Sequence, residues 1–180
     1  KEAPNLAKAK ELFKKTGYDG KPVTVLHATN IDFMSNSAQL LAQRLRDAGI
    51  TVDLAASDWG GVVTRRAVKA PPDQGGWNIP WWGAASVGNP IAYVGHQTNG
   101  EKGWFGWPND PVHEQLRDKW AAAGSLDEQK VIAREMQKHD WDFVPHIWLG
   151  QFLSPVAYRK NLRGVLAVPE IIPFWNIEKA

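Results

Sequence analysis

Two runs rich in β-branched residues, Pro22–Ala28 (PVTVLHA) and Ile50–Ala56 (ITVDLAA), enclose a segment with Ala38, Leu41, Ala42, Leu45 and Ala48 on one helical face. Strand, helix of about four turns, strand is a βαβ unit, whose two strands are expected to lie parallel with a right-handed crossover. A polar loop, Thr29–Ser37, is expected to open that helix, and Ala48-Gly49 to end it. The pattern repeats on both sides. Asn5 caps a helix from Leu6 that presents Leu6, Ala9 and Phe13, with Gly17 as its stop. Ser57 or Asp58 caps another, with Trp59, Val62, Val63 and Ala67 inward and Arg65, Arg66 and Lys69 outside or near its end. A long loop through Pro71-Pro72 and Gly75-Gly76 leads to a third strand, Trp77–Trp82.

Further on, Asp110-Pro111 is an N-cap followed by Pro at the first helical position. The helix it opens carries Val112, Leu116, Trp120 and Ala123 and stops at Gly124. Ser125 and Glu128 make a capping box for a helix that buries Ile132, Met136 and Phe143. Val144–Gln151 (VPHIWLGQ) reads as another strand, and Pro155, Gly164, Pro169 and Pro173 divide the remainder into short extended pieces. Helices alternate with strands throughout. The class is α/β, a mixed sheet flanked by helices, in one domain or one lobe of something larger.

Charge and cysteine content exclude several functions. A formal net charge of +2 is small and its basic residues are scattered, so nucleic acid is not a partner. Lys8, Lys10, Lys14 and Lys15 cluster, but at helical spacing they form a solvated face. No apolar run approaches the roughly 18 residues of a membrane span. Absence of cysteine removes thiol catalysis, disulfides and thiolate zinc sites. The first residues, KEAPNLAKAKELF, contain no signal-peptide core and read as the start of an excised domain.

Chemistry concentrates between Gly75 and Pro111, where five of the ten tryptophans (Trp77, Trp81, Trp82, Trp104 and Trp107) are interleaved with glycine. Rigid rings supply contact area and glycine lets backbone approach a guest, a mixture suited to a ligand wall; the plainer alternative is a hydrophobic cluster under a long loop. In an open α/β sheet, ligands bind beyond the carboxyl ends of the strands. Those ends bring Asn30, Asp58, Trp59, Trp82 and Ser86 toward one rim.

Other constellations are weaker. None of His27, His96, His113, His139 and His146 stands four residues from another, so each reads as a structural or surface histidine, and no metal or cofactor is expected. Ala84–Gly88 (AASVG) approaches a nucleophile elbow and would make Ser86 the nucleophile of a serine hydrolase. Gly88-Asn89-Pro90 breaks the helix such an elbow needs, and the Asp-then-His order has no clear candidate pair. A third possibility is a protein-interaction module working through an exposed Trp-rich face.

Taken together, NLAKAKELFKKTGYDGKPVTV, QLLAQRLRDAGITVDLAASDWGGVVTRR, GGWNIPWWGAASVGNP, NGEKGWFGWPNDPVHEQLRDKW, EQKVIAREMQKHDWDFVPHIWLGQ, YRKNLRGV and FWNIEKA resemble, in order and spacing, the second lobe of the large solute-binding proteins that serve ABC importers of dipeptides, oligopeptides and related solutes. The resemblance runs nearly end to end. It implies one periplasmic-binding-protein-like lobe over residues 1–180, with residues 165–180 returning toward a first lobe encoded upstream. It also implies an extracytoplasmic, non-enzymatic receptor that closes on its solute and hands it to the transporter's permease. In the family, the stretch matching Trp81–Pro90 lines the cleft. A tryptophan there stacks on the ligand and an aspartate takes a peptide's ammonium. Here Ser86 stands at that aspartate's position, and a hydroxyl lacks the charge-assisted bond an ammonium prefers. A peptide held in another way, a peptide-like solute and an oligosaccharide all remain open. Trp81, Trp82 and Ser86 are the expected ligand face, with Asn30, Trp59, Asn89 and Trp107 behind them.

Overall fold

The computed structural model describes residues 5–81, 83, 89–153, 155–168 and 173–180. Its contacts fall into two units, Lys1–Ala84 and Ala85–Ala180.

The first unit is built on β1 (Val23–Ala28), which pairs in parallel with β2 (Val52–Ser57) in a register running from Val23 opposite Val52 to Ala28 opposite Ser57. The expected βαβ unit is present. Thr24 to Ala28 are all buried, whereas no residue of β2 is, because α2 and α3 pack more closely on β1. Its second edge takes Ile79: Leu26 donates to the Ile79 carbonyl at 2.9 Å and Ile79 donates to Thr24 at 3.1 Å. The strand expected over Trp77–Trp82 thus reduces to one parallel bridge.

Helix α1 (Leu6–Lys15) is capped by Asn5, whose side chain accepts from the Lys8 amide at 2.9 Å, and stops at Gly17, where φ is +71°. Ala9 and Phe13 are half-buried, but Leu6 is exposed. Helix α2 (Asp32–Asp47) begins well before the end of the expected Thr29–Ser37 loop. Its polar first turns are satisfied locally, since Ser37 donates to the Phe33 carbonyl at 2.6 Å and Ser35 bonds His27 across to β1. Met34, Ala38 and Ala42 form its buried stripe. Helix α3 (Trp59–Arg65) is shorter than expected: Ala67 lies beyond its end and is exposed. Arg65 turns back over the following loop, donating through Nε and Nη2 to the carbonyls of Gly75 and Gly76 at 3.0 and 2.9 Å.

In the second unit, α4 (Pro111–Ala122) and α5 (Leu126–Phe143) pack through Leu116, Ile132 and Met136, with Trp120 and Ala123 at the edge. Asp110 caps α4 by accepting from the amides of Val112 and His113. Ser125 caps α5, but Glu128 reaches Gly124 N, one residue before the reciprocal capping-box partner. The inward face of α4 is rotated from expectation. Val112 is exposed, while His113 and Arg117 are buried beside Leu116. Arg117 is tolerated there because Glu114 Oε2 accepts from Nη1 at 2.6 Å and the Pro90 carbonyl accepts from Nε at 3.1 Å. Glu114 Oε1 in turn accepts from the amide and hydroxyl of Thr98. Phe143 is only half-buried, with its ring parallel to that of His139.

The segment expected as a strand at Val144–Gln151 forms no ladder. Val144 adopts φ +52°, ending α5 in the left-handed region, and Ile147, Trp148 and Leu149 are exposed. A short antiparallel pair, β3 (Leu162–Arg163) with β4 (Glu178–Lys179), follows.

Three substitutions test this packing. A Cβ at Gly76 would lie 1.7 Å from the Ala70 carbonyl oxygen, so Gly76→Ala should lose at least about 2 kcal/mol in chemical denaturation. Gly124→Ala, where the nearest neighbour is a Glu128 side-chain oxygen at 3.9 Å, should change stability by less than about 1 kcal/mol. Glu114→Ala leaves the buried Arg117 without its carboxylate and the Thr98 amide without its acceptor, while the Thr98 hydroxyl keeps the Asp110 carbonyl, and should cost about 2–4 kcal/mol by the same measurement.

Candidate functional site

The carboxyl ends of β1 and β2 are lashed together. Thr29 donates from its amide and hydroxyl to the Ser57 carbonyl at 2.8 and 3.0 Å. One residue on, Asn30 Oδ1 accepts from the Trp59 amide at 2.8 Å, and Asp58 caps α3 through the Gly61 amide. Both turns leaving the parallel strands therefore hold one geometry, with the exposed Asn30 presenting its remaining NH2 group at the rim.

Two of the expected tryptophans stand at this end. Trp59 and Trp81 are half-buried and pack against the same cluster of Leu26, Ala28, Met34 and Val62. Trp81 follows the Ile79 bridge by two residues on a segment running parallel to β1, which sets it level with His27 near the strand's carboxyl end. Each ring thus has one face on the core and one edge outward. The Arg66 guanidinium lies 5.8 Å from the Trp59 ring centroid, within cation–π range. Trp77 is structural: its ring joins the same core and its indole N–H donates to the Arg66 carbonyl at 3.1 Å.

The other expected residues fall elsewhere. Trp82 and Ser86 lie outside the described residues. Asn89 belongs to the second unit, where Oδ1 accepts from the amides of Ile91 and Ala92, so its carbonyl is already engaged by a turn. Trp107, also in that unit, is half-buried with φ +49° and donates its amide to Trp104. A cavity of about 310 Å³ in the first unit is lined by Lys10, Phe13, Lys14, Tyr18 and Ala48–Ile50. It sits by the amino end of β2, away from the rim.

The second unit contains polar chemistry that the one-dimensional pattern did not flag. His113, fully buried, has Nδ1 2.8 Å from Asp140 Oδ1, and His139 pairs with Asp110. Burial works against ionisation of Asp110, but the bonds from His139 and the helix amides outweigh it and hold its carboxyl below the usual range. Glu114 behaves alike: burial opposes its charge, and Thr98 and Arg117 more than compensate. Helical spacing was the available signal, because 113, 116, 117 and 120 share a face just as 132, 136, 139 and 140 do. Among the described residues no group of His, Asp and Glu is arranged to hold a metal ion, and no helix is long and apolar enough to cross a membrane.

Comparison with known proteins agrees with the geometry. Residues 1–104 match the family model for bacterial extracellular solute-binding proteins, family 5, middle region. The chain is 44% identical over 176 residues to a probable peptide ABC transporter periplasmic-binding protein, y4tO, of Sinorhizobium fredii. That match covers 96% of the chain and 33% of the relative, so the chain spans about a third of the relative's length. Among solved structures, NikA from Staphylococcus aureus, bound to Ni(L-His)2, is similar with TM-score 0.64 at 20% identity, over 94% of this chain and 37% of NikA. AgaA from A. tumefacien R10, in complex with agropinic acid, gives 0.64 at 21% over 78% and 29%. The Escherichia coli murein tripeptide binding protein MppA gives 0.59 at 18% over 78% and 27%. At those identities the likeness is one of fold, the α/β architecture of periplasmic binding proteins. The family is one of solute binding and transport rather than of enzymes. By the family match and by its 44% identity to a curated member, this chain belongs to the family-5 bacterial extracellular solute-binding proteins.

Proposed function

We propose that the chain is the second lobe of a periplasmic receptor that captures a peptide or peptide-like solute and delivers it to an ABC importer. The observation that carries this reading is the 44% identity, along 96% of the chain, to a probable peptide-binding receptor. The rim agrees with it. Asn30 is bonded to the Trp59 amide and Trp81 packs on the same core cluster as Trp59, at the strand ends where an open α/β sheet meets its ligand. In this reading Trp81 and Trp82 stack on the guest and exclude water, Ser86 and Asn30 supply neutral hydrogen bonds, and Asn89 and Trp107 belong to the wall that follows. The lobe works without catalysis or cofactor. Residues 165–180 run back toward the first lobe, and the permease receives the closed receptor.

Ser86 in place of an acid shapes the specificity. A neutral hydroxyl gives roughly half the strength of a charge-assisted bond, so a free peptide ammonium is not the feature recognised. A half-site also binds weakly. A micromolar receptor has about −8.2 kcal/mol in all, and one lobe would meet the full rigid-body entropy cost with only part of the contacts.

The two central rings should separate by experiment. In the intact receptor, Trp82→Ala is expected to weaken binding of the co-purifying solute by more than about 1 kcal/mol in calorimetry while barely moving the melting temperature. Trp81→Ala, which also opens the Leu26–Met34 cluster, should lower both affinity and melting temperature. Unchanged affinity in both variants would remove the rim from the binding site. Labelling of Ser86 by a fluorophosphonate, abolished in Ser86→Ala, would restore the hydrolase alternative.

A further inference from the structure

Three imidazoles meet inside the second unit. His96 stands on a short 3-10 turn (Val94–His96), His113 on α4, and His146 just past the end of α5. The His96 ring centroid is 6.0 Å from that of His113 and 5.7 Å from that of His146. Tyr93 meets His96 edge-on at 5.1 Å, and Trp148 lies 5.8 Å from His146 and 6.4 Å from His96. This packing carries the chain from α5 into a run whose own side chains, Ile147 to Leu149, are largely exposed. Hence the rings of His146 and Trp148 anchor the start of the segment.

The cluster is poorly prepared for charge. His96 Nδ1, His113 Nε2 and His146 Nε2 are buried without a hydrogen-bond partner. His113 Nδ1 approaches Asp140 Oδ1 at 2.8 Å but off the hydrogen-bonding direction, so that contact leaves both atoms unsatisfied. The groups facing His96 are His113 and Arg117 from α4, Asp140 from α5, His146 from the following segment and Tyr93 from its own turn. Asp140 is the single acid among them. Burial, followed by the neighbouring His146, pushes the His96 imidazole down to about 4, and burial also lowers that of His146.

We propose that His96 and His146, packed beside the buried His113, form an acid-sensitive clasp, which holds the segment after α5 while His96 and His146 are neutral and releases it when either takes up a proton. An imidazolium here must find water for N–H groups that have no acceptor, and opening the segment is the short route to solvent. The sign follows from the direction of the shift. A histidine whose folded value lies below its unfolded one of about 6.5 favours the closed form above that pH, and the advantage is lost as pH falls toward 4. Asp110 and Glu114 lose their contribution only in the more acidic carboxylate range, which separates the two effects. The inference concerns pH response and is independent of what the rim binds.

Hydrogen–deuterium exchange on the intact protein, corrected for intrinsic rates, tests it between about pH 7 and about pH 5. Peptides spanning 144–153 are expected to lose protection about tenfold, while those covering β1 and β2 hold theirs. His96→Asn should remove most of that step. In the wild type, NMR titration of the imidazole C–H signals should place His96 well below the ordinary histidine value. Loss of protection equal in both units, a step unchanged in His96→Asn, or ordinary titration of His96 and His146 would overturn the clasp. Added Zn(II) that raises protection of 144–153 at about pH 7 would do so too, making the cluster a metal site.

Discussion

The parallel pairing of β1 with β2 is the constraint from which the rest of the first unit follows. Once Val23–Ala28 is flanked by β2 on one edge and Asn78–Ile79 on the other, the Thr24 amide is bonded to the Asn78 side chain, the Thr24 carbonyl accepts from Asn78 and Ile79, and the Leu26 amide donates to Ile79. Five successive residues can then be buried without cost in unpaired amides. Parallel strands also point their carboxyl ends the same way. That polarity puts Thr29–Asn30 beside Ser57–Trp59, and it brings Trp81 to the same end because the Ile79 bridge is parallel as well.

The rim rings have divided roles. Trp59 and Trp81 are seated on the core cluster, so their orientation is held by the fold itself. Prior ordering lowers the entropy cost of association, which is where a binding surface gains most from rigid aromatics. The Asn30–Trp59 bond adds to this by joining the two turns through a side chain and a backbone amide rather than through two mobile side chains. The second unit follows a different logic: a partly polar interior of Arg117, Glu114, Thr98, Asp110 and His139, held by mutual hydrogen bonds.

Much of this was legible in the sequence where local chemistry decides structure. Asn5, Asp58, Asp110 and Ser125 cap their helices as their side chains dictate, and Gly17 and Gly49 take the left-handed conformation at the ends of α1 and α2. Errors arose where tertiary partners decide. Trp77–Trp82 and Val144–Gln151 have strand composition, but the first pairs with β1 only through the Ile79 bridge, and the second finds no ladder partner among the described residues. On α4 the apolar count favoured Val112, whereas the structure buries Arg117 because Glu114 and Pro90 satisfy it. A long-range partner of that kind leaves no trace in periodicity. Of the proposed rim residues, the position of Asn30 and Trp59 follows from the strand ends, and that of Trp81 from the parallel Ile79 bridge. The engagement of Asn89 in a turn is set by backbone geometry that its residue type only permits.

The central claim is that the carboxyl rim of this sheet is the face that meets the solute. Photo-crosslinking tests it most directly: the intact receptor would be irradiated with diazirine-bearing peptides and the adducts mapped by mass spectrometry. Adducts at Asn30, at Asp58–Trp59 and over 81–83 are the predicted result. Adducts confined to the opposite end of the strands, at Lys10, Tyr18 or Ile50, would contradict it.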